Sequence, residues 1–188
     1  ILRRVPMLVE YDGAYYEPLS LAMVRMITGR PSVLPGYPDD GSGSENYPGL
    51  EWLEVGPIKI PVDEAVTALI PYRGKQRSFK YVSAVDVMNE RVEAAELEGK
   101  IVLVGTTAPG LFDLRATPVE AVYPGVEVHA NMIAGILERN IKQKPPYAVG
   151  AEFVSLLIAG LALALLLPLL NPFRSLLATV AVLCVVLF

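Results

Sequence analysis

Apolar positions divide the chain into two regions with different patterns. Residues 1–147 contain short apolar runs separated by polar and charged positions, whereas residues 148–188 are apolar almost throughout and carry only the charged residues Glu152 and Arg174. Short patterned runs predict the strands and helices of a globular domain, and a long uncharged run predicts membrane helices. The sequence therefore predicts a domain followed by a membrane region.

The first third of the domain predicts a strand, a turn and a helix, followed by a loop. Val5–Tyr11 has the alternation of a strand, and Asp12-Gly13 is a turn sequence. A helix is predicted over Leu19–Thr28, which begins after a proline and ends before a glycine. Residues 30–57 are rich in proline and glycine and predict a long surface loop.

The middle of the domain predicts two short strands and one short helix. Ile58–Ile60 is the first strand, and Thr67–Tyr72 is the second, which we expect to end or to lie at a sheet edge because Pro71 has no N–H group. Ser83 has the position of a helix N-cap and predicts a helix over Ala84–Asn89.

The last third of the domain contains the predicted core. Ile101–Val104 is a continuous apolar run and predicts a central strand buried on both faces, followed by a loop over residues 106–110. Val126–Arg139 has an apolar helical face and predicts a helix packed on that strand. The fold class expected is α/β, a domain with a mixed sheet flanked by helices and followed by transmembrane helices.

The apolar region predicts one complete membrane helix and the start of another. Phe153–Phe173 contains no charged residue, and at about 1.5 Å per residue it would extend about 30 Å, the thickness of a bilayer core. We expect a domain at 1–147, a membrane helix at 148–170, a turn at 171–175 and the start of a second helix at 176–188. The sequence is therefore expected to be a fragment at both ends.

Charge and cysteine content exclude several function classes. Residues 1–147 hold 15 basic and 19 acidic residues, which disfavours a nucleic-acid surface. Cys184 is the only cysteine and lies in the apolar region, so we expect neither a disulfide nor a metal site, and no cofactor. Gly105 and Gly110 have P-loop spacing, but Leu111 and Phe112 stand where the phosphate-binding residues belong. No catalytic site is expected in these residues.

One group of polar residues is a candidate ligand site. The carboxyl ends of strands collect ligands in α/β sheets, and hydroxyl, carboxylate and imidazole groups could bond a small polar molecule there. Purely structural roles, such as local capping, a turn and a satisfied helical histidine, stay open as the alternative. The candidates are Thr106, Thr107, Asp113, Thr117 and His129.

The chain resembles the type-two CHASE domain, the sensory extracellular module associated with cyclases and histidine kinases. The matching segments are RRVPMLVEYDG, IKIPVD with PYRG, GKIVLVGTTAPGLFDLRATP and PGVEVHANMIAGIL, followed by the apolar runs. It departs from the family pattern at Ala65 and Val66, where a glycine is common, and at Pro71, where an asparagine is often found. The resemblance implies that an N-terminal half with its own anchor helix is missing.

The resemblance also implies a function. It implies an extracytoplasmic domain of a multi-pass bacterial receptor whose cytoplasmic output is a class III adenylate or guanylate cyclase. The basic flank Arg139, Lys142 and Lys144 would by itself favour a cytoplasmic domain. The expected partners are membrane lipid, a second copy in a homodimer and an unknown small-molecule or protein stimulus, without nucleic acid. The alternatives are a histidine or Ser/Thr kinase output, a membrane-anchored protein-binding scaffold and, least favoured, an enzyme.

Overall fold

The structure, a computed structural model, describes residues 1–37, 49–107, 113–143 and 147–187. The chain divides into two compact units, Ile1–Gln143 and Lys144–Phe188. In chain order, the elements of the first unit are β1 (Arg4–Pro6), β2 (Val9–Tyr11), β3 (Ala14–Tyr16), α1 (Leu19–Ile27), β4 (Val33–Gly36), β5 (Trp52–Val55), β6 (Ile58–Pro61), β7 (Thr67–Leu69), α2 (Ala84–Met88), α3 (Ala94–Leu97), β8 (Leu114–Arg115), β9 (Tyr123–Pro124) and α4 (Gly125–Leu137).

The first unit combines helices with small antiparallel sheets. The described strands form the pairs β1–β7, β2–β3 and β8–β9 and the three-stranded sheet β4–β5–β6, and every pairing is antiparallel. The expectation of an α/β fold is therefore right at the level of helix and strand content. The expected mixed sheet is wrong for the described residues, because no parallel pair occurs among them.

The strand predicted over Val5–Tyr11 is two strands with different partners. Met7 separates β1 from β2, is fully buried and donates its N–H to the carbonyl oxygen of Val66 at 2.8 Å. The Asp12-Gly13 turn then joins β2 to β3 in a hairpin, and both turn residues have positive φ angles of 51° and 73°. These are the backbone angles that a two-residue hairpin turn requires.

The sequence predicts a single long loop over residues 30–57, but the structure shows strands within this range. These residues contain β4 and β5, which pair with each other, and β5 also pairs with β6. Pro35 is tolerated in β4 because that strand lies at the edge of the sheet, where a missing N–H costs no ladder bond. Residues 38–48 of the predicted loop lie outside the described residues.

The predicted helices of the first unit are present with small changes at their ends. The prediction for residues 19–28 is α1, that for 84–89 is α2, and that for 126–139 is α4. Ser83 stands at the N-cap of α2 but makes no capping bond through its side chain. Helix α1 contacts α4, and α4 also contacts β6 and β9. The buried core comprises Met7, Leu21, Val24, Leu53, Val55, Ile58, Ile60, Val62, Ala68, Ile70, Tyr123, Val128, Met132, Ile133 and Ile136.

The predicted central strand Ile101–Val104 is wrong. The segment forms neither helix nor strand, and Val102 and Val104 are 51% and 90% exposed. Only Leu103 packs against the core, and Gly105 after it lies against Val126 at the start of α4. An apolar run becomes a buried central strand only where strands flank it on both sides, and no described strand pairs with this one.

The second unit is helical. Helix α5 (Tyr147–Leu166) continues as a short 3₁₀ turn over Leu167–Leu169, and α6 (Pro172–Leu187) follows. One stretch, Gly150–Leu169, is long and apolar enough to cross a membrane, with a mean hydropathy of 2.3, and α6 contains a shorter apolar stretch. The first predicted membrane helix is therefore a possible span by length and composition, and the second span stays a prediction.

Candidate functional site

Helix α4 buries two polar side chains on a face that is otherwise apolar. Glu127 is 2% exposed and Asn131 is fully buried, and they lie one turn apart on the same side of the helix. Burying a carboxylate or an amide destabilises a fold unless hydrogen bonds replace those lost to water. The hydrogen-bond partners of these two residues therefore show which segment of the domain α4 holds in place.

The carboxylate of Glu127 binds one loop through three donors. The main-chain N–H groups of Arg77 and Ser78 donate to its two oxygens at 3.0 and 2.8 Å, and the Tyr81 hydroxyl donates at 2.6 Å. Burial, followed by the bond to Glu127, raises the pKa of Tyr81, so this phenol stays protonated as a donor at neutral pH. Three donors on one carboxylate fix the position of the loop relative to α4.

Asn131 uses both ends of its amide. Its Nδ2 atom donates to the Tyr123 hydroxyl at 2.9 Å and to the Glu127 carbonyl oxygen at 2.8 Å, and its Oδ1 atom accepts the main-chain N–H of Arg73 at 3.0 Å. We refer to Glu127, Asn131 and Tyr123, with the loop groups that they bind, as the α4 polar network. Residues 71–81 are the 71–81 loop.

Two tyrosines extend the network toward the N-terminal strand. The rings of Tyr72 and Tyr123 meet edge to face, with centroids 5.4 Å apart, and the Tyr72 hydroxyl donates to the carbonyl oxygen of Leu2 at 2.9 Å. Burial raises the pKa of each tyrosine to about 12. Both are therefore neutral hydrogen-bonding groups over the physiological range.

Contacts farther along α4 also hold the 71–81 loop. Gly135 lies directly against the ring of Pro71, where any β-carbon would overlap the ring. Near the end of α4, Glu138 forms an ion pair with the guanidinium group of Arg73, which also lies 5.0 Å from the centroid of the Phe79 ring. The loop is thus attached along the length of α4, from Glu127 in its first turn to Glu138 at its C-cap.

Two of the predicted ligand residues lie together at the start of α4. The Asp113 side chain lies against Gly125, and the Asp113 carbonyl oxygen accepts the Gly125 N–H at 2.8 Å. Burial lowers the pKa of His129, one turn into the helix, and the Asp113 carboxylate opposes that shift only in part. The Nδ1 atom of His129 is buried without a hydrogen-bond partner among the described residues.

The three predicted threonines have other surroundings. The hydroxyl of Thr117 donates to the Glu120 carbonyl oxygen at 2.8 Å and accepts the Glu120 N–H at 3.1 Å, so it closes its own turn. Thr106 and Thr107 are exposed. Ligand binding by the five predicted residues stays a prediction. Within the described residues, no group of three His, Cys, Asp or Glu side chains could hold a metal ion.

Neither Glu127 nor Asn131 is among the candidate ligand residues that the sequence predicts. The available signal was their spacing, because two polar residues four apart within PGVEVHANMIAGIL share the helical face of Val128 and Gly135. Their partners in the 71–81 loop lie 46 to 58 residues earlier in the chain, and no local pattern pairs them.

Comparison with known proteins gives one match. A family model described as the CHASE2 domain matches residues 1–169. No curated protein and no solved structure matches the chain.

Proposed function

The chain belongs to the CHASE2 domain family, whose members are extracellular sensor domains of signalling receptors, and we propose that it passes a stimulus from outside a bacterial cell to a class III adenylate or guanylate cyclase inside. The proposed receptor is a multi-pass membrane protein that acts as a homodimer. The observation that carries the proposal is the attachment of the 71–81 loop to α4, because α4 is the last element of the first unit and precedes the apolar helix.

The composition of α5 supports a membrane span. The stretch Gly150–Leu169 has 20 residues, which as a helix extend about 30 Å and match the hydrocarbon core of a bilayer. None of this stretch is buried by other parts of the protein. Lipid is the environment in which so long an exposed apolar helix is stable.

The hydroxyl groups of the second unit also suit a bilayer. The side chains of Ser155, Ser175 and Thr179 each donate to a main-chain carbonyl oxygen of the same helix, at 2.8, 2.7 and 2.9 Å. Hydrocarbon offers no hydrogen-bond partner, so a hydroxyl group within it must bond internally. These three hydroxyl groups therefore add little to the cost of membrane insertion.

The proposed signal path follows the chain from the 71–81 loop through α4 into α5. Residues 138–146 separate the two helices in sequence, and Pro145 and Pro146 restrict the backbone dihedral angles of that link. A stimulus that favours one position of the loop by a few kcal/mol shifts the equilibrium between two helix arrangements. No catalytic residue is required in the sensor domain. The stimulus is a small molecule or a protein, and Asp113 and His129 are its proposed contacts.

The test uses the complete receptor in membrane vesicles. We expect it to convert ATP or GTP to a cyclic nucleotide, and we expect its basal rate to change several-fold when Pro145 and Pro146 are both replaced by glycine. The matched control is Pro118→Gly, an exposed proline outside the link, which should leave the rate unchanged. Phosphate incorporation without cyclic nucleotide would replace the proposed output with a kinase. The absence of both activities would favour the membrane-anchored protein-binding scaffold.

A further inference from the structure

His129 is the only histidine of the chain, and one of its ring nitrogens is buried without a hydrogen bond. The Nδ1 atom has no partner among the described residues, although most buried polar atoms have one. The neutral ring tolerates this position because it carries no charge. An imidazolium ring has a hydrogen on both nitrogens, so here it would place a donor and a positive charge where there is no acceptor. Protonation therefore destabilises the present arrangement around His129.

Asp113 supplies the negative charge that acts on His129. Its carboxylate lies against Gly125, in the space that a β-carbon at that position would occupy. His129 follows Gly125 by one helical turn on the same face, and side chains on a helix lean toward the preceding turn. The imidazole and the carboxylate therefore share one face at the start of α4, although the Nδ1 atom makes no hydrogen bond to the carboxylate.

The other titratable groups on α4 and on the segments packed against it have other partners or are exposed. The Glu127 carboxylate and the hydroxyl groups of Tyr72, Tyr81 and Tyr123 form the bonds described above, and the Glu120 carboxylate accepts the Gln76 N–H. Ion pairs join Arg25 to Glu17, Lys59 to Glu54, Arg73 to Glu138 and Lys80 to Glu96, and the exposed groups are Lys75, Arg77, Arg115 and Arg139. Among the described residues, Asp113 is therefore the group that answers a charge on His129.

Two short contacts hold the segment that carries Asp113 to the start of α4. The Asp113 carbonyl oxygen accepts the Gly125 N–H at 2.8 Å, and β8 pairs with β9 over only two residues. So short a two-stranded ladder is weak by itself. A movement of the Asp113 side chain toward His129 therefore strains the Gly125 bond before it disturbs the core.

We infer that His129 and Asp113 form a proton-operated switch at the start of α4. When the external pH falls, the imidazole takes up a proton from solvent, and its Nδ1–H group pairs with the Asp113 carboxylate. The pairing draws residues 113–115 away from Gly125 and opens the Gly125 N–H bond. The inference deepens the proposed function and rests on it, because it makes external acid a stimulus that acts at two residues already proposed as contacts.

The environment of His129 sets the pH range of the switch. Burial lowers the pKa of this residue from 6.5, and the Asp113 carboxylate opposes the shift in part. The proton is therefore taken up below pH 6.5, where mildly acidic surroundings differ from neutral ones. Loss of the Asp113 charge should move the titration to a still lower pH.

Nuclear magnetic resonance of the full chain in lipid nanodiscs tests the electrostatic part of the inference, because a chain with one histidine gives one imidazole signal. We expect this signal to titrate below pH 6.5 in the parent chain and at a lower pH in Asp113→Asn. The matched control is Glu64→Gln, an exposed carboxylate outside this region, which should leave the titration unchanged. The same titration in the parent and in Asp113→Asn would overturn the inference.

Hydrogen exchange in the same nanodiscs tests the movement. Corrected for the intrinsic exchange rate, the protection of the Gly125 N–H should fall several-fold between pH 7.5 and 5.5 in the parent chain and stay constant in His129→Gln. The matched control is the Met7 N–H, which bonds the Val66 carbonyl oxygen at the same distance of 2.8 Å and should stay protected in both chains. Constant protection of Gly125 in the parent, or an equal loss at Met7, would overturn the inference.

The proposed function is measured separately, as cyclic nucleotide formation by the complete receptor at a fixed pH. Cyclic nucleotide formation with constant Gly125 protection would overturn the switch alone. Loss of Gly125 protection in a receptor that forms no cyclic nucleotide would overturn the proposed output alone.

Discussion

The side-chain oxygen of Asn131 accepts a hydrogen bond of 3.0 Å from the main-chain N–H group of Arg73, 58 residues earlier in the chain. The bond is partly buried, and the Asn131 side chain that accepts it lies in the core. Together with the three donors on Glu127, it fastens the 71–81 loop to α4. Under the proposed function, a ligand or partner that contacts the loop would act on the helix that precedes the apolar segment.

Replacing Asn131 with leucine should destabilise the domain by about 2–4 kcal/mol, because the Arg73 N–H group and the Tyr123 hydroxyl would lose a partner in the interior. The measurement is the thermal unfolding of the full chain in detergent micelles. The control, Asn140→Leu, changes an exposed asparagine just after the same helix and should alter stability by less than about 0.5 kcal/mol. Equal effects of the two variants would contradict the role of the network.

Glu127→Gln should cost about 2–3 kcal/mol, because the new NH₂ group would face the donors of the 71–81 loop and a charge-assisted set of bonds would be lost. The matched control is Glu120→Gln. That carboxylate accepts an N–H from the same loop, Gln76 at 2.9 Å, but at an exposed position. Chemical denaturation of both variants should show the difference, and a neutral Glu127→Gln would contradict it.

Substitution by aspartate should distinguish Ile133, which lies in the core of the structure, from Val102, which only the sequence places in a core strand. Ile133 is 4% exposed, so Ile133→Asp buries an unpaired carboxylate and should cost several kcal/mol. Val102 is 51% exposed, so Val102→Asp should cost less than about 1 kcal/mol. Thermal midpoints of the two variants decide the matter, and a large loss from Val102→Asp would restore the buried strand that the sequence predicts.

The stability of the domain should fall as the pH is lowered below about 6.5. Burial holds the pKa of His129 below its ordinary value of 6.5, so the unfolded chain binds the proton first and protonation favours unfolding. Asp63 acts only at lower pH, because the bonds from Thr67 and the charge of Arg4 outweigh burial and lower its pKa below 3.8.

Comparison of the parent chain with the variant His129→Gln isolates the contribution of the histidine to this pH dependence. The thermal midpoint of the parent chain should decrease between pH 7.5 and 5.5, and the variant should show a smaller decrease over the same range. An identical decrease in both chains would assign the pH dependence to other groups.

The first unit should lie outside the cell and the segment between α5 and α6 inside. A membrane-impermeant thiol reagent tests this in a Cys184→Ser chain with a single cysteine at Met88 or at Ser175. In intact cells, Met88→Cys should be labelled and Ser175→Cys should not, because the apolar helix separates the two positions. The reverse result would mean that the basic residues Arg139 and Lys142 keep the domain in the cytoplasm.

The hydrophobic pattern predicted the helices well and the sheets poorly. Helices α1 and α4 appear within two residues of their predicted ends, because a helix face depends on residues only a few positions apart. Strands need partners from elsewhere in the chain. The apolar run Ile101–Val104 therefore predicted a strand with which no described strand pairs. Pro35 contributed to the prediction of a loop, although it lies in the edge strand β4.

The candidate site, like the fold, could be predicted from the sequence only in part. Local sequence placed His129 and Asn131 on one helix, and the structure places Asp113 beside the first of them. The pairing of Glu127 with Arg77 and Ser78 could not be predicted, because those two residues contribute main-chain groups whose positions their side chains do not encode.

The dependence of the 71–81 loop on α4 also orders events during synthesis of the protein. The loop leaves the ribosome about fifty residues before Glu127 and Asn131, so its hydrogen bonds to α4 cannot form until α4 has emerged. Only residues 138–146 separate the end of α4 from the apolar α5. At about 5–20 residues per second, the synthesis of α5 therefore follows that of α4 within a few seconds. The 71–81 loop can therefore take its final position only shortly before α5 is made.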